Sequence, residues 1–239
     1  MGRVKAALSA LAALAVPVDC PGCAAPDVRL CPVCRASLTV LDTAVTRRVL
    51  PGGLPVWSGP AYEGVPAQVL RAWKEHGRLD LTGPLSEGLA AVLGVALTES
   101  RARDSPPRGD PVAGAGAGAG AGLPVLLIPV PSRRSARRER GEDLMRALTV
   151  RAAARMREAG APPVRVRPVL TVRDRVRDQS GLGAAQRRLN LEGAMSVPAC
   201  RRRLVAGRDC LVVDDIVTTA ATVVEAVRAL TVAGARVRG

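Results

Sequence analysis

Apolar positions fall into helical spacing or continuous runs along this chain of 239 residues, and Pro, Gly and charged stretches mark the breaks. Over residues 1–18, Val4, Ala7, Leu8, Leu11 and Leu14 share one face of a helix that stops before Pro17. The basic start and short apolar stretch also fit a signal peptide. The run is too short to span a bilayer. Residues 35–60 are dotted with Pro and Gly, and the apolar pieces at 37–40 and 54–57 predict irregular strands and turns. Val69, Leu70 and Trp73 predict a short helix closed by Gly77. Leu85, Leu89, Val92, Leu93 and Ala96 predict another over 84–97.

The second half alternates strand and helix signals. Residues 123–131 form a continuous apolar run, the pattern of a strand in a parallel sheet. A helix is expected over 142–159, with acids in its first turn and Gly160 just past its end. A further strand is expected over 164–170. Residues 171–193 are very polar, and so long a loop in a compact domain is either functional or disordered. Apolar residues return at 210–213 and recur at helical spacing over 223–230. After Gly234 a last strand is expected to continue beyond the point where the chain ends. Strands alternating with helices predict an α/β fold over 46–239, a parallel sheet flanked by helices, preceded by a small unit over 1–45. Inside the larger unit, 101–122 is charged, Pro-rich and then strictly Ala-Gly; such low complexity cannot pack a core and is expected to be a flexible loop.

Composition sharpens this in two ways. Apolar residues make up 48% of the chain, enough for a sizeable core, yet Trp57, Trp73 and Tyr62 are its only aromatics. The core must therefore be built from Val, Leu and Ala. The net charge is +14, and Lys5 and Lys74 are the only lysines among 35 basic residues. A basic surface suits nucleic acid or polyphosphate ligands. GC-rich codons produce the same Ala, Gly, Arg and Pro bias, so charge permits such partners without assigning one. His76 is the only histidine. It lies near a helix end and is expected to be structural or solvated. Lys74 becomes useful only if the fold brings it to a phosphate site.

Four of the six cysteines are paired as C-x-x-C twice, at Cys20, Cys23 and at Cys31, Cys34. Each pair forms a knuckle that turns two sulfurs toward one point. Two knuckles make a closed tetrahedral thiolate site for structural zinc, with no open position for chemistry. An iron–sulfur cluster is the alternative. This cysteine usage belongs to a reducing compartment, here the cytoplasm. Cys210, at the start of the apolar 210–213 run, is expected to be a small core residue.

The chemistry concentrates in residues 211–222, where an apolar strand end leads into Asp214 and Asp215, a Thr-rich turn and a helix. Adjacent carboxylates can accept hydrogen bonds from two ribose hydroxyls and can help place magnesium. The hydroxyls of Thr218, Thr219 and Thr222, the amides of Val217 through Ala220 and Ala221, and the positive end of the helix can converge on one phosphate. A solvated acidic pair on an ordinary strand-turn-helix is the competing reading. Residues 132–141 put an arginine cluster, including Arg133 and Arg140, after a strand and before a helix. In open α/β sheets that is the ligand edge, suited to pyrophosphate or a nucleic-acid backbone. A solvated basic loop is the alternative.

Residues 211–222 resemble the phosphoribosyl pyrophosphate (PRPP) loop of type I phosphoribosyltransferases, with Ala220 where that family usually has Gly. Together with the four-cysteine unit, Pro129-Val-Pro131 through Arg140-Gly141, and the segment holding Gln179, Arg187, Arg188 and Asn190, the chain resembles the ComF family. These are phosphoribosyltransferase-like proteins linked to DNA uptake in competent bacteria. Tyr62-Glu-Gly and Trp73-Lys74 resemble that family's connecting segment. The resemblance implies a zinc ribbon followed by a type I phosphoribosyltransferase fold, PRPP with Mg2+ as ligand, and 173–192 as a mobile loop that closes over it. It implies that Asp214 and Asp215 hold the ribose during pentosyl transfer.

Two functions of different class follow. One is PRPP or nucleotide binding with phosphoribosyl transfer. The other is a non-enzymatic single-stranded DNA-binding protein, acting with competence proteins and keeping the fold for phosphate contact. Scarce aromatics disfavour base stacking in the second, so its binding would be salt-sensitive. A PRPP or nucleotide sensor is a third reading.

Overall fold

A computed structural model describes residues 18–39, 45–104, 123–131, 143–172 and 193–239. The helix expected over 1–18 therefore lies outside the described residues apart from Val18. So do most of 101–122, the arginines 133–140 and the segment 173–192.

The centre is a four-stranded parallel sheet in the order β4-β3-β7-β8, built from β3 (Val125–Pro129), β4 (Val164–Val166), β7 (Asp209–Val213) and β8 (Arg236–Val237). In the central pair Leu126 lies opposite Cys210 and Pro129 opposite Val213. The continuous apolar runs have a physical reason, because both faces of these strands are covered. On one face Val125, Leu127, Leu211 and Val213 pack with Leu144, Leu148, Ala152 and Met156. On the other Leu126, Ile128 and Cys210 pack with Ala226, Ala229 and Leu230.

The small N-terminal unit contains α1 (Pro32–Ala36). The hairpin β1 (Thr46–Val49) and β2 (Pro55–Ser58) follows, then α2 (Gly64–Glu75) and a 3-10 turn at Leu79–Leu81. Next come α3 (Thr82–Asp104) and, after β3, α4 (Leu144–Glu158), which packs beside α3. The second face carries the short antiparallel pair β5 (Thr171–Val172) and β6 (Met195–Ser196), α5 (Ala199–Arg202) and α6 (Ala221–Val232). The stretch Leu79–Arg103 is the one described helix long and apolar enough to cross a membrane by length and composition. Its Leu81, Leu93, Ala96 and Leu97 are buried in the core.

Several expectations shift. The helix expected over 84–97 runs from Thr82 to Asp104, so 101–104 is helical rather than low-complexity loop. Thr82 accepts the Trp73 indole N–H at 3.0 Å, and Arg101 and Arg103 in the last turn suit the negative end of the helix dipole. The strand expected over 164–170 ends at Val166, because Pro168 has no N–H to continue the ladder. Residues 37–39 are a turn after α1, not a strand, with Leu38 buried in the main core. The polar 171–193 segment opens with β5, a pair too short to show as a pattern. The helix expected over 142–159 starts two residues later, at Leu144, because the Asp143 carboxylate caps it by accepting the Arg146 N–H at 3.3 Å.

On the second face the Glu225 carboxylate is buried at 4% exposure. It accepts the Met195 N–H at 2.8 Å and the Arg228 guanidinium at 2.7 Å, tying β6 to α6. Burial raises its pKa, but these hydrogen bonds outweigh that and hold it below the ordinary carboxylate range. Glu225→Ala strands the Met195 amide and should cost about 2 kcal/mol. Urea denaturation checks this: the midpoint should fall with the slope unchanged.

Candidate functional site

β7 ends at Val213 and delivers Asp214 and Asp215 to the carboxyl edge of the sheet. The neighbouring β3 ends alongside, with Val130 N–H donating to Val213 O at 2.9 Å. Asp214 Oδ1 accepts the Asp215 amide at 2.9 Å, which folds the first carboxylate back over the turn. The Asp215 side chain is 6% exposed, and Lys74 Nζ lies 2.5 Å from its Oδ2. Lys74 stands in the last turn of α2, beside the fully buried Trp73. The fold thus supplies the partner that the sequence left unassigned.

Two carboxylates face one ammonium, and the imbalance shows in the titration of Asp214. Burial first, and then the charge of Asp215, push Asp214 up to about 7, against the pull of the Asp215 amide and Lys74. The site accepts positive charge: a second cation or a set of hydroxyl donors would satisfy it.

The turn after the acids leaves Thr218 and Thr219 exposed. Ala220 closes it in the left-handed region, at φ 59°, ψ 4°, and is the N-cap of α6. Gly occupies such a conformation at no steric cost, whereas Ala costs roughly 1 kcal/mol. Ala220 has no side chain to cap the helix, so the first amides of α6 are open to an anion. Thr222 is half-buried in the first turn and Ala221 is buried.

Beside the acids lies a cavity of about 480 Å³. Its walls include Trp57, Tyr62, Leu70 and Leu89, and Asp214, Asp215, Ile216 and Val217 close one side. The residue pattern missed these walls. The available signal was rarity, since two of the three aromatics in the chain line this one cavity. Arg133, Arg140, Gln179, Arg187, Arg188 and Asn190 lie outside the described residues. Pro131, which precedes the arginine cluster, sits at the same edge of the sheet as the acids. His76 is the exposed C-cap of α2 and touches none of this.

The second candidate site is the cysteine unit. The Sγ atoms of Cys20, Cys23, Cys31 and Cys34 all lie within 4.8 Å of one another, positioned to hold a metal ion. The Cys31 amide points at Cys20 Sγ at 3.5 Å and the Cys34 amide at Cys31 Sγ at 3.4 Å. Burial works to raise Cys20, but amides of Cys31, Gly22 and Cys23 outweigh it and hold the thiol at about 6. Burial pushes Cys34 well up. Gly22 is required by closeness: a Cβ there would stand 2.7 Å from Cys34 Sγ and 2.9 Å from Val65. The unit is pinned to the larger domain by Arg78, which donates to Asp19 O at 3.2 Å and Arg29 O at 2.8 Å. Arg35 adds a fork onto Glu87 at 2.7 and 2.9 Å.

In comparison with known proteins, no family model and no curated protein matches the chain.

Two measurements follow from this geometry. Purified protein should carry about one metal ion per chain by elemental analysis, and Cys34→Ser should lose it. Chelation should then lower Tm by several degrees. The second concerns Asp214. Its folded pKa lies above the unfolded value near 4, so the folded chain keeps a proton that the unfolded chain releases. That contribution to stability is complete below pH about 4 and is lost as pH rises through about 7. Thermal melts should show the native chain losing Tm relative to Asp214→Asn across that window. Parallel curves would rule out a raised Asp214.

Proposed function

We propose that this protein is a PRPP- or ribose-5-phosphate-binding phosphoribosyltransferase of the ComF type. The observation that carries the reading is the succession at the end of β7: a buried acid pair, a left-handed turn, then the uncapped amino end of α6. Asp214 and Asp215 accept hydrogen bonds from the two ribose hydroxyls. Thr218, Thr219 and Thr222 with the amides of 217–222 hold the 5′-phosphate. Arg133 and Arg140, which follow a strand ending at the same edge, bind the pyrophosphate. The resemblance assigns Gln179, Arg187, Arg188 and Asn190 to the segment that covers the ligand.

The reaction breaks the bond between the anomeric carbon and the pyrophosphate oxygen. Pyrophosphate leaves with the electron pair, and the acceptor forms the new bond to that carbon. The apolar cavity walled by Trp57, Tyr62 and Leu70 receives the acceptor. Catalysis is positioning and charge stabilisation, with no general base required of His76. The acid pair carries more charge than Lys74 neutralises, which fits a divalent cation. Mg2+ entering with the pyrophosphate supplies that neutralisation when bound. The cysteine set is assigned to structural zinc, since four thiolates leave no coordination position open. The protein acts in the cytoplasm, where such thiols stay reduced.

Calorimetric titration with PRPP, with and without Mg2+, tests this. Binding should depend on Mg2+, and Asp214→Asn combined with Asp215→Asn should weaken it at least about tenfold, the loss of a charge-assisted hydrogen bond or more. Absence of binding by the native chain would overturn the reading. If the chain instead binds single-stranded DNA with steep salt dependence and indifference to Asp214→Asn, the DNA-binding role takes its place.

A further inference from the structure

One wall of the cavity beside the acid pair is the hairpin, and the two-residue alternation of β1 decides which side chains reach it. Thr46 and Arg48 share a face with Ser58, the cross-strand partner of Thr46, and all three line the cavity. Arg47, between them, belongs to the other face. There it pairs with Glu99 at 3.5 Å, and its cross-strand partner Trp57 donates the indole N–H to the same carboxylate at 3.0 Å. Arg48 is exposed, and no hydrogen bond or ion pair engages it. It is the one cationic side chain that the described residues contribute to this lining.

The other side chains of the cavity divide simply. Thr46 Oγ1 and Ser58 Oγ bond each other at 3.0 Å. The exposed Tyr62 ring has the Arg71 guanidinium 5.9 Å above it. Leu70, Leu85 and Leu89 pack only part of their surface against the main core and line the cavity as well. The space of about 480 Å³ is that of a small-molecule site. It therefore combines apolar walls, one unengaged guanidinium on the hairpin, and two carboxylates where β7 ends.

We propose that this cavity takes an aromatic acid carrying an amino group, and that Arg48 selects its carboxylate. A planar guanidinium matches a carboxylate through two parallel hydrogen bonds. A ring covers the leucine walls and stacks beside Tyr62 while giving up little rotational freedom. The amino group faces the side that Asp214 and Asp215 close, where N–H donors are welcome. Calling this ligand the acceptor rests on the phosphoribosyl reading. In that reaction the amino nitrogen forms the bond to the anomeric carbon. Pyrophosphate leaves with the electron pair of the bond that breaks, and the nitrogen's proton passes to water. Arg48 touches neither the sugar nor the pyrophosphate and sets specificity alone.

The test is calorimetric titration of the full chain with 4-aminobenzoate and with aniline, which lacks the carboxylate. Each is run with and without PRPP and Mg2+, at about physiological salt, where diffuse surface attraction is screened. 4-Aminobenzoate should bind about tenfold more tightly than aniline, the difference of one charge-assisted contact. Arg48→Gln should remove that difference and leave aniline unchanged, and Arg48→Lys should restore part of it. Arg47→Gln, which alters the same net charge on the other face, should change neither. Thermal melts verify that the variants fold. The proposal is overturned if 4-aminobenzoate binds in neither condition, if aniline binds as tightly, or if Arg47→Gln weakens 4-aminobenzoate as much as Arg48→Gln does. PRPP binding without 4-aminobenzoate binding sinks this proposal and spares the phosphoribosyl reading. Binding of 4-aminobenzoate through Arg48 by a chain that takes no PRPP does the reverse.

Discussion

Two adjacent carboxylates at the end of a buried strand are electrostatically expensive, and much of this structure bears on that cost. Taking a carboxylate out of water is unfavourable unless a cation or hydrogen-bond donors replace the solvent. Here the replacement is incomplete. Asp215 has Lys74, while Asp214 has the Asp215 amide and a pKa lifted by burial and by its neighbour. A site left short of positive charge in the free protein is suited to a ligand that brings hydroxyls or a cation.

Lys74 reaches Asp215 only because α2 is docked from both sides. Trp73, the next residue, is fully buried and bonded to Thr82. The cysteine unit presses on the start of α2 through Gly22 against Val65, and Arg78 ties the far end of α2 to the carbonyls of Asp19 and Arg29. The cysteine unit thus buttresses the helix that carries the counter-ion. Its structural role and the electrostatics of the acid pair belong to one chain of contacts.

Ala220 shows strain kept where a ligand would be met. Its left-handed backbone turns the chain from β7 into α6 and leaves the helix amides without a side-chain cap. A Ser or Asp in an extended N-cap would satisfy those amides and stabilise the helix, but it would also fill the place where an anion could sit. At its other edge the same sheet pairs its charges, with Arg236 and Arg238 both donating to Asp209.

The amino-acid sequence alone determined the central core strands and the close grouping of the four cysteines. Apolar runs at 123–131 and 210–213 specified buried parallel strands, because covering both faces removes the alternation that a half-exposed strand would show. The C-x-x-C spacings brought four thiolates together, since each knuckle is a local turn that needs no distant partner. The acid pair and the turn after it were legible for the same reason, as they are consecutive residues. Lys74, Trp57 and Tyr62 were not legible, because they lie more than a hundred positions from the acids and meet them only when α2 and the hairpin pack over the sheet edge. The gathering of Arg236 and Arg238 on Asp209 likewise needed the parallel pairing of β7 with β8. Local geometry follows from neighbours in sequence. Which charge faces which, and what space is left between them, was decided by packing in three dimensions.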